Sequence, residues 1–317
     1  TELTILNANG NYEVEVMVRK NALTLTASFD KAKAEDGHGY TFKVSYPNHQ
    51  YYDPDNTSTT PGKFIYGIVA TQTVKIEATP PAGRKAKYGV KEWQKLKDDG
   101  VNWETIQDSQ NKTSIELTMD NNKEVKAVLA PQYTFTLSPK LDANKGKLII
   151  TNSATDTQDL VAINIADQEK SKTITHDGSL YFKVEDLGTD NLVVSYKRKG
   201  FDGTEEEMTS LFDNDENSPT NGMWKEKGSL SIQPGDEFVV EIARVQRIRF
   251  SVVENGAHYE GNYNLNISLM RGTHADEMLF PKFSSDTVTL DSNKIGKADG
   301  KQYPIYITKG TQLRIYA

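Results

Sequence analysis

The chain contains no cysteine, which excludes disulfide staples, zinc ribbons and thiol nucleophiles together. That absence suits an exported protein, since an unpaired thiol is a liability outside the reducing cytoplasm. No apolar run approaches the ~20 residues of a membrane-spanning helix. No signal-peptide pattern opens the chain, and Thr1 reads as the start of a mature or excised segment. Blocks of one charge sign are missing too: 37 Lys and Arg are interspersed among 44 Asp and Glu, for a net charge of −7. Counterion release from a phosphate backbone needs clustered bases, so nucleic acid is not an expected partner.

Histidine is scarce. His38, His49, His176, His258 and His274 include no pair at i, i+4 spacing, the arrangement a helical metal site uses. Gly-x-Ser-x-Gly elbows and Walker-type loops are absent. The many carboxylates guarantee that some pair faces another, but nothing in the sequence picks one out as a glycosidase pair. Asp213-Asn214-Asp215-Glu216-Asn217 alternates oxygen ligands as calcium loops do. Ser218 and Pro219 replace its turning glycine, however, and Trp224 stands where the closing carboxylate belongs. Asp53-Pro54-Asp55-Asn56 is similar and shorter. Both read as solvated loops. The expectation is a non-enzyme with no catalytic residue, no cofactor and no metal.

What the sequence does have is alternation. Glu13–Val18, Thr41–Tyr46, Thr73–Ala78, Tyr133–Leu137 and Arg247–Val252 switch between apolar and polar residues with period two, as half-buried antiparallel strands do. Asn9-Gly10, Asp36-Gly37, Asp177-Gly178, Pro234-Gly235 and Asp299-Gly300 punctuate them as turns. Helical periodicity is confined to Val90–Lys97 and Glu205–Leu211.

The chain also resembles itself. Thr113–Leu129 has the layout strand, polar turn, strand, and both Gly228–Ile242 and Thr1–Val18 repeat it. A second set matches Lys63–Ala78 to Gln302–Ala317, with Ser179–Ser195 similar to both. The period is roughly 110–120 residues, domain-sized rather than solenoid-sized, so each repeat can bury its own core. The expected organisation is a tail hairpin of a preceding repeat at 1–20, modules at 21–131 and 132–246, and a partial module at 247–317. The fold class is mostly β: tandem small antiparallel modules, β-grasp-like or β-sandwich, with few short helices.

One stretch carries a family resemblance. Val74-Lys-Ile-Glu-Ala-Thr-Pro-Pro-Ala-Gly83, then Trp93, then Leu117-Thr-Met-Asp-Asn-Asn-Lys-Glu-Val125 resembles the divergent internalin-type B-repeat of bacterial surface proteins. The resemblance implies small β-rich modules on the cell exterior, with no catalytic residue to carry over. It implies Trp93 as a core anchor, Pro80 and Gly83 as turn formers, and Asp120-Asn121-Asn122 as a hairpin turn.

The favoured function is a spacer and adhesion region of a secreted or surface-displayed bacterial protein, monomeric, contacting a protein or glycan. One alternative is a carbohydrate-binding region of a polysaccharide-processing protein. The other is partner capture by an exposed edge strand. Among the 15 tyrosines, Tyr51 and Tyr52 lie beside a Pro/Asp/Asn/Thr-rich loop and are the candidate ligand contacts.

Overall fold

The computed structural model describes residues 22–29, 40–45, 63–80, 86–215, 218, 220, 222–248, 253–258, 264–269, 279–280, 287–291, 305–308 and 311–316. Two compact units divide the chain: Thr1–Pro81 with Glu92–Leu129, and Ala82–Lys91 with Ala130–Ala317.

The first stretch of chain forms β1 (Ala22–Phe29), β2 (Thr41–Ser45), β3 (Lys63–Val69), β4 (Thr73–Thr79), β5 (Tyr88–Leu96), β6 (Trp103–Thr105), β7 (Ser114–Thr118) and β8 (Lys123–Lys140). Alternation makes them strands: in β4, Val74, Ile76 and Ala78 are buried while Thr73, Lys75 and Glu77 are not. One sheet has the order β2-β4-β7. In the other, β1 lies between β3, antiparallel, and the start of β8, parallel. The two sheets face each other across an apolar layer. Phe29 of β1 stacks on Phe42 of β2 with centroids 3.9 Å apart, and Phe42 meets fully buried Trp93 at 5.8 Å. Burying side chains of this size contributes about 1.5–3 kcal/mol each.

The chain then runs through β9 (Lys147–Thr151), β10 (Val161–Asn164), β11 (Ser171–Thr175), β12 (Leu180–Glu185), β13 (Asn191–Lys199), β14 (Glu205–Glu207), β15 (Lys227–Leu230) and β16 (Glu237–Ile248). Strand by strand, the pairings repeat. The second part of β8 pairs antiparallel with β11 and parallel with β16, as β1 pairs with β3 and β8. β12 lies between β9 and β15, as β4 lies between β2 and β7. β13 and β14 form the antiparallel pair that β5 and β6 form. Phe135, Leu148, Ile150, Phe182, Val184, Tyr196, Phe238 and Val240 fill the second interior. Each copy is a two-layer sandwich, the second of the two forms the sequence left open.

A third set follows: β17 (Val253–Glu254), β18 (Ala257–His258), β19 (Asn264–Leu269), β20 (Leu279–Phe280), β21 (Thr287–Asp291), β22 (Ile305–Thr308) and β23 (Leu313–Tyr316). β19 pairs with β21 and β23, as β9 pairs with β10 and β12. The end of β16 pairs with β22, as β8 pairs with β11.

The likeness extends to single bonds. Trp93 and Tyr196 are each the sixth residue of their strand, β5 and β13, and each is fully buried. Trp93 Nε1 donates to the Lys112 carbonyl at 2.9 Å; Tyr196 Oη donates to the Lys225 carbonyl at 2.6 Å. Those carbonyls stand two residues before β7 and β15 respectively. The backbone oxygens of the same two aromatics accept from Ile106 N and Met208 N, both at 2.8 Å. The hairpins after β5 and β13 turn on Asp99-Gly100 and Asp202-Gly203, with the glycines at φ +70° and +87°. Only glycine reaches that region without strain.

Several expectations are corrected. Val90–Lys97 is strand, not helix. In β13 a bulge between Val193 and Ser195 changes the phase, so Val193 and Tyr196, three residues apart, are both buried. Val90 and Trp93 in β5 show the same spacing. A three-residue apolar interval within a strand mimics helical spacing. Glu205–Leu211 is strand β14 followed by a single 3-10 turn at Thr209–Leu211. Asp120-Asn121-Asn122 is a turn but not a hairpin, because β7 bonds to β4 while β8 belongs to the other sheet. The chain crosses between layers there, and Asn122 Oδ1 accepts from Thr24 N at 2.8 Å beside the parallel pair. Ser179–Ser195 is β12 and β13, so the counterpart of β3-β4 is β11-β12 instead. Finally, among the described residues, β1/β8 and β8/β16 are parallel within otherwise antiparallel sheets.

Candidate functional site

Tyr51 and Tyr52 lie outside the described residues, as do His38, His49, His274 and the Asp53–Asn56 loop. Among those described, His176 follows β11 and donates its backbone N–H to the Pro131 carbonyl at 2.8 Å. Its Nε2 is buried with no partner atom, and burial lowers its pKa below the usual histidine value. That environment disfavours the charged ring.

The Asp213 loop shows what its acidic run does. Asp213 Oδ1 accepts from Asp215 N at 3.1 Å, and Oδ2 accepts from the hydroxyls of Ser218 at 2.5 Å and Thr220 at 2.6 Å. These donors hold the carboxyl below the ordinary aspartate range, the Ser218 hydroxyl foremost. The carboxylate staples its own loop with hydroxyls at the positions where a cation's ligands would converge. Among the described residues no group of three or more histidine and carboxylate side chains gathers as a metal site would.

A second buried carboxylate organises the hairpin end of the second copy. Asp236 accepts from Arg198 Nε at 2.5 Å, Gln233 N at 2.7 Å and Phe201 N at 3.2 Å. Its three donors come from two turns and one strand, so it ties β13 to the entry of β16.

The polar surface best suited to a ligand lies on the outward face of the same copy. An open groove of about 330 Å³ is lined by Gln132 and Thr134 of β8, Ser171 and Thr173 of β11, and Glu237 of β16. Its groups bond across strands: Thr134 Oγ1 with Thr173 Oγ1 at 3.0 Å, and Thr136 Oγ1 donating to Glu237 Oε1 at 2.7 Å. Hydroxyls so placed can exchange hydrogen bonds with a peptide or a sugar. The alternation of Gln132, Thr134 and Thr136 facing Ser171, Thr173 and Thr175 was readable as a polar strand face. Nothing in it signalled that the two segments pair. The first copy does not keep this set: Lys63 stands opposite Ser28 where Ser171 stands opposite Thr136, and Lys63 pairs with Glu124 at 3.9 Å.

No family model matches the chain, and no curated protein matches it by sequence. Three solved structures align with it over much of its length. The major pilin T-13 of Streptococcus pyogenes is 12% identical, over 72% of this chain and 98% of the pilin, with a TM-score of 0.20. The TIE protein of Bacillus anthracis is 12% identical over 93% of this chain and 43% of that protein, with a TM-score of 0.22. The pilus adhesin SpaC of Lactobacillus rhamnosus is 10% identical over 87% and 46%, with a TM-score of 0.20. Likeness at that level assigns neither a shared fold nor a shared role. The chain's mostly-β character rests on its own strands.

Proposed function

We propose that this chain is a non-catalytic spacer and interaction region of a secreted or surface-displayed bacterial protein. It is built of modules at 21–131 and 132–246, with the closing segment of a preceding module at 1–20 and a partial one from 247, and is related in pattern to internalin-type B-repeats. The observation that carries the reading is the contrast between what the copies share and what they do not. The shared features are cohesive: an aromatic pinned to one carbonyl, the Asp-Gly hairpin, the parallel closing strand. The outward polar groups differ, as Lys63 and Ser171 show. Duplication that preserves a scaffold while its surface diverges fits a role set by the number of modules and by variable contact surfaces. The absence of cysteine agrees with an extracellular setting.

The test is a bacterial display series with none, one or both complete copies beneath a fixed binding domain. Access of a bulky antibody to that domain should rise with copy number. It should be unchanged when Lys63 and Glu237 are neutralised together. Access independent of copy number would sink the reading.

A further inference from the structure

In the second copy β11 pairs with β8 and, among the described residues, with no other strand. Its phase is fixed by two bonds, Leu137 N to the Lys170 carbonyl at 2.9 Å and His176 N to the Pro131 carbonyl at 2.8 Å. In an antiparallel ladder the groups facing the partner alternate along the strand. Lys170, Lys172, Ile174 and His176 therefore turn their backbone groups toward β8. Ser171, Thr173 and Thr175 turn theirs to the outer edge.

The third set shows what that edge takes. β22 is the counterpart of β11: Thr308 lies opposite Val245 and Tyr306 opposite Arg247, as Thr175 lies opposite Gln132 and Thr173 opposite Thr134. The far side of β22 carries β20, antiparallel, with Leu279 opposite Ile307 and Phe280 opposite Tyr306. In the second copy the chain between β9 and β11 forms β10, which joins the other sheet beside β9. Among the described residues, the edge that the third set covers internally is left open in the second.

We propose that the outer edge of β11 is a strand-addition site. It takes an extended peptide, antiparallel, with an apolar residue opposite Ile174 and an aromatic or hydrogen-bonding residue opposite Thr173. The apolar place follows from Ile174, which packs against the core cluster and continues that layer outward. The other place faces the hydroxyls of Thr134, Ser171 and Thr173 in the groove. Lys172, an inward charge of the kind that blocks edge pairing, has its amine drawn back onto the Ala162 carbonyl at 2.7 Å. Main-chain bonds supply affinity in such an arrangement and the alternate side chains supply selectivity. The site stands on pairing alone and is independent of the spacer reading.

The probe is the capped peptide corresponding to residues Ala275–Phe283, titrated into the whole chain by fluorescence anisotropy, with amide exchange read at Ser171, Thr173 and Thr175. Binding with slowed exchange at those three amides is expected. Thr173→Pro removes an outward N–H and leaves the bonds to β8 intact, a substitution edge strands tolerate. It should weaken binding about tenfold or more, as loss of a bond worth about 1.4 kcal/mol would. N-methylation of the peptide at the residue corresponding to Phe280 should weaken it similarly on the unaltered protein, which keeps the test valid if Thr173→Pro fails to fold. No binding at millimolar peptide, or binding indifferent to both changes, overturns the proposal.

Discussion

The first and second copies solve one packing problem with different side chains. Where β5 places an indole, β13 places a phenol, and both reach the backbone carbonyl that precedes the last strand of the smaller sheet. The rings differ in size and their surroundings compensate. Trp93 meets Phe42, whereas Tyr196 is surrounded by Phe182, Trp224 and Phe238 at centroid distances of 5.0–5.6 Å. What is held constant is a buried donor at that place. An interior tolerates changes of shape if volume is made up nearby, but a buried carbonyl left without a donor is costly.

The largest way to break the comparison is to remove the rings. Trp93→Ala and Tyr196→Ala are each predicted to cost about 3–5 kcal/mol, read by denaturant unfolding. Each should strip amide protection first from its own copy. A cost under about 1 kcal/mol at either place would contradict the anchoring role.

A middle-sized effect separates the copies. Arg198 and Glu206 face each other on β13 and β14 as Lys95 and Glu104 do on β5 and β6. Only the second-copy pair gains a buried carboxylate, Asp236, with its side chain 2% exposed. Asp236→Ala is expected to cost about 2–3 kcal/mol, because Arg198 and two backbone donors lose their acceptor. Lys95→Met, at a pair with both side chains more than 40% exposed, should be close to neutral. Equal costs in thermal unfolding would remove the distinction.

The smallest effect is a titration. Asp99 accepts from the backbone N–H groups of Val101 and Asn102 and from the Asn102 side chain, and these donors, Asn102 N–H foremost, bring its pKa down to about 2. A carboxyl whose folded pKa is depressed contributes stability above its unfolded value near 4, and loses it as pH falls toward 2. Protection factors of the Val101 and Asn102 amides should therefore fall between pH 4 and pH 2. In Asp99→Ala that fall across the window should vanish; its persistence would assign the effect elsewhere.

Much of this architecture was legible because strands in sandwiches bury alternate residues. β2, β4 and the middle of β8 emerge directly from period-two patterning, whereas Trp93 as an anchor comes only from the resemblance to internalin-type B-repeats. Sheet membership was not legible. Thr113–Leu129 has every mark of a hairpin, yet Asp120-Asn121-Asn122 carries the chain from one layer to the other, and a local pattern cannot tell a turn within a sheet from one between sheets. The three-residue interval between buried Val90 and Trp93 hid strand β5 behind a helical spacing. The open edge of β11 was unreadable, since pairing is a property of distant segments.

The account stands on the equivalence of Gln132 and Val245, the residues that donate to the Lys87 and Asp190 carbonyls at 2.9 and 2.8 Å. Deleting Gln132–Arg244 joins Pro131 to Val245 in phase, whereas deleting Gln132–Val245 is one residue out and turns the following side chains to the wrong face. Amide exchange in the two shortened chains should show β19 and β22 protected in the first and weakly protected or unprotected in the second, with Trp93 buried in both. Equal protection of β19 and β22 in the two would mean that the copies do not share a register.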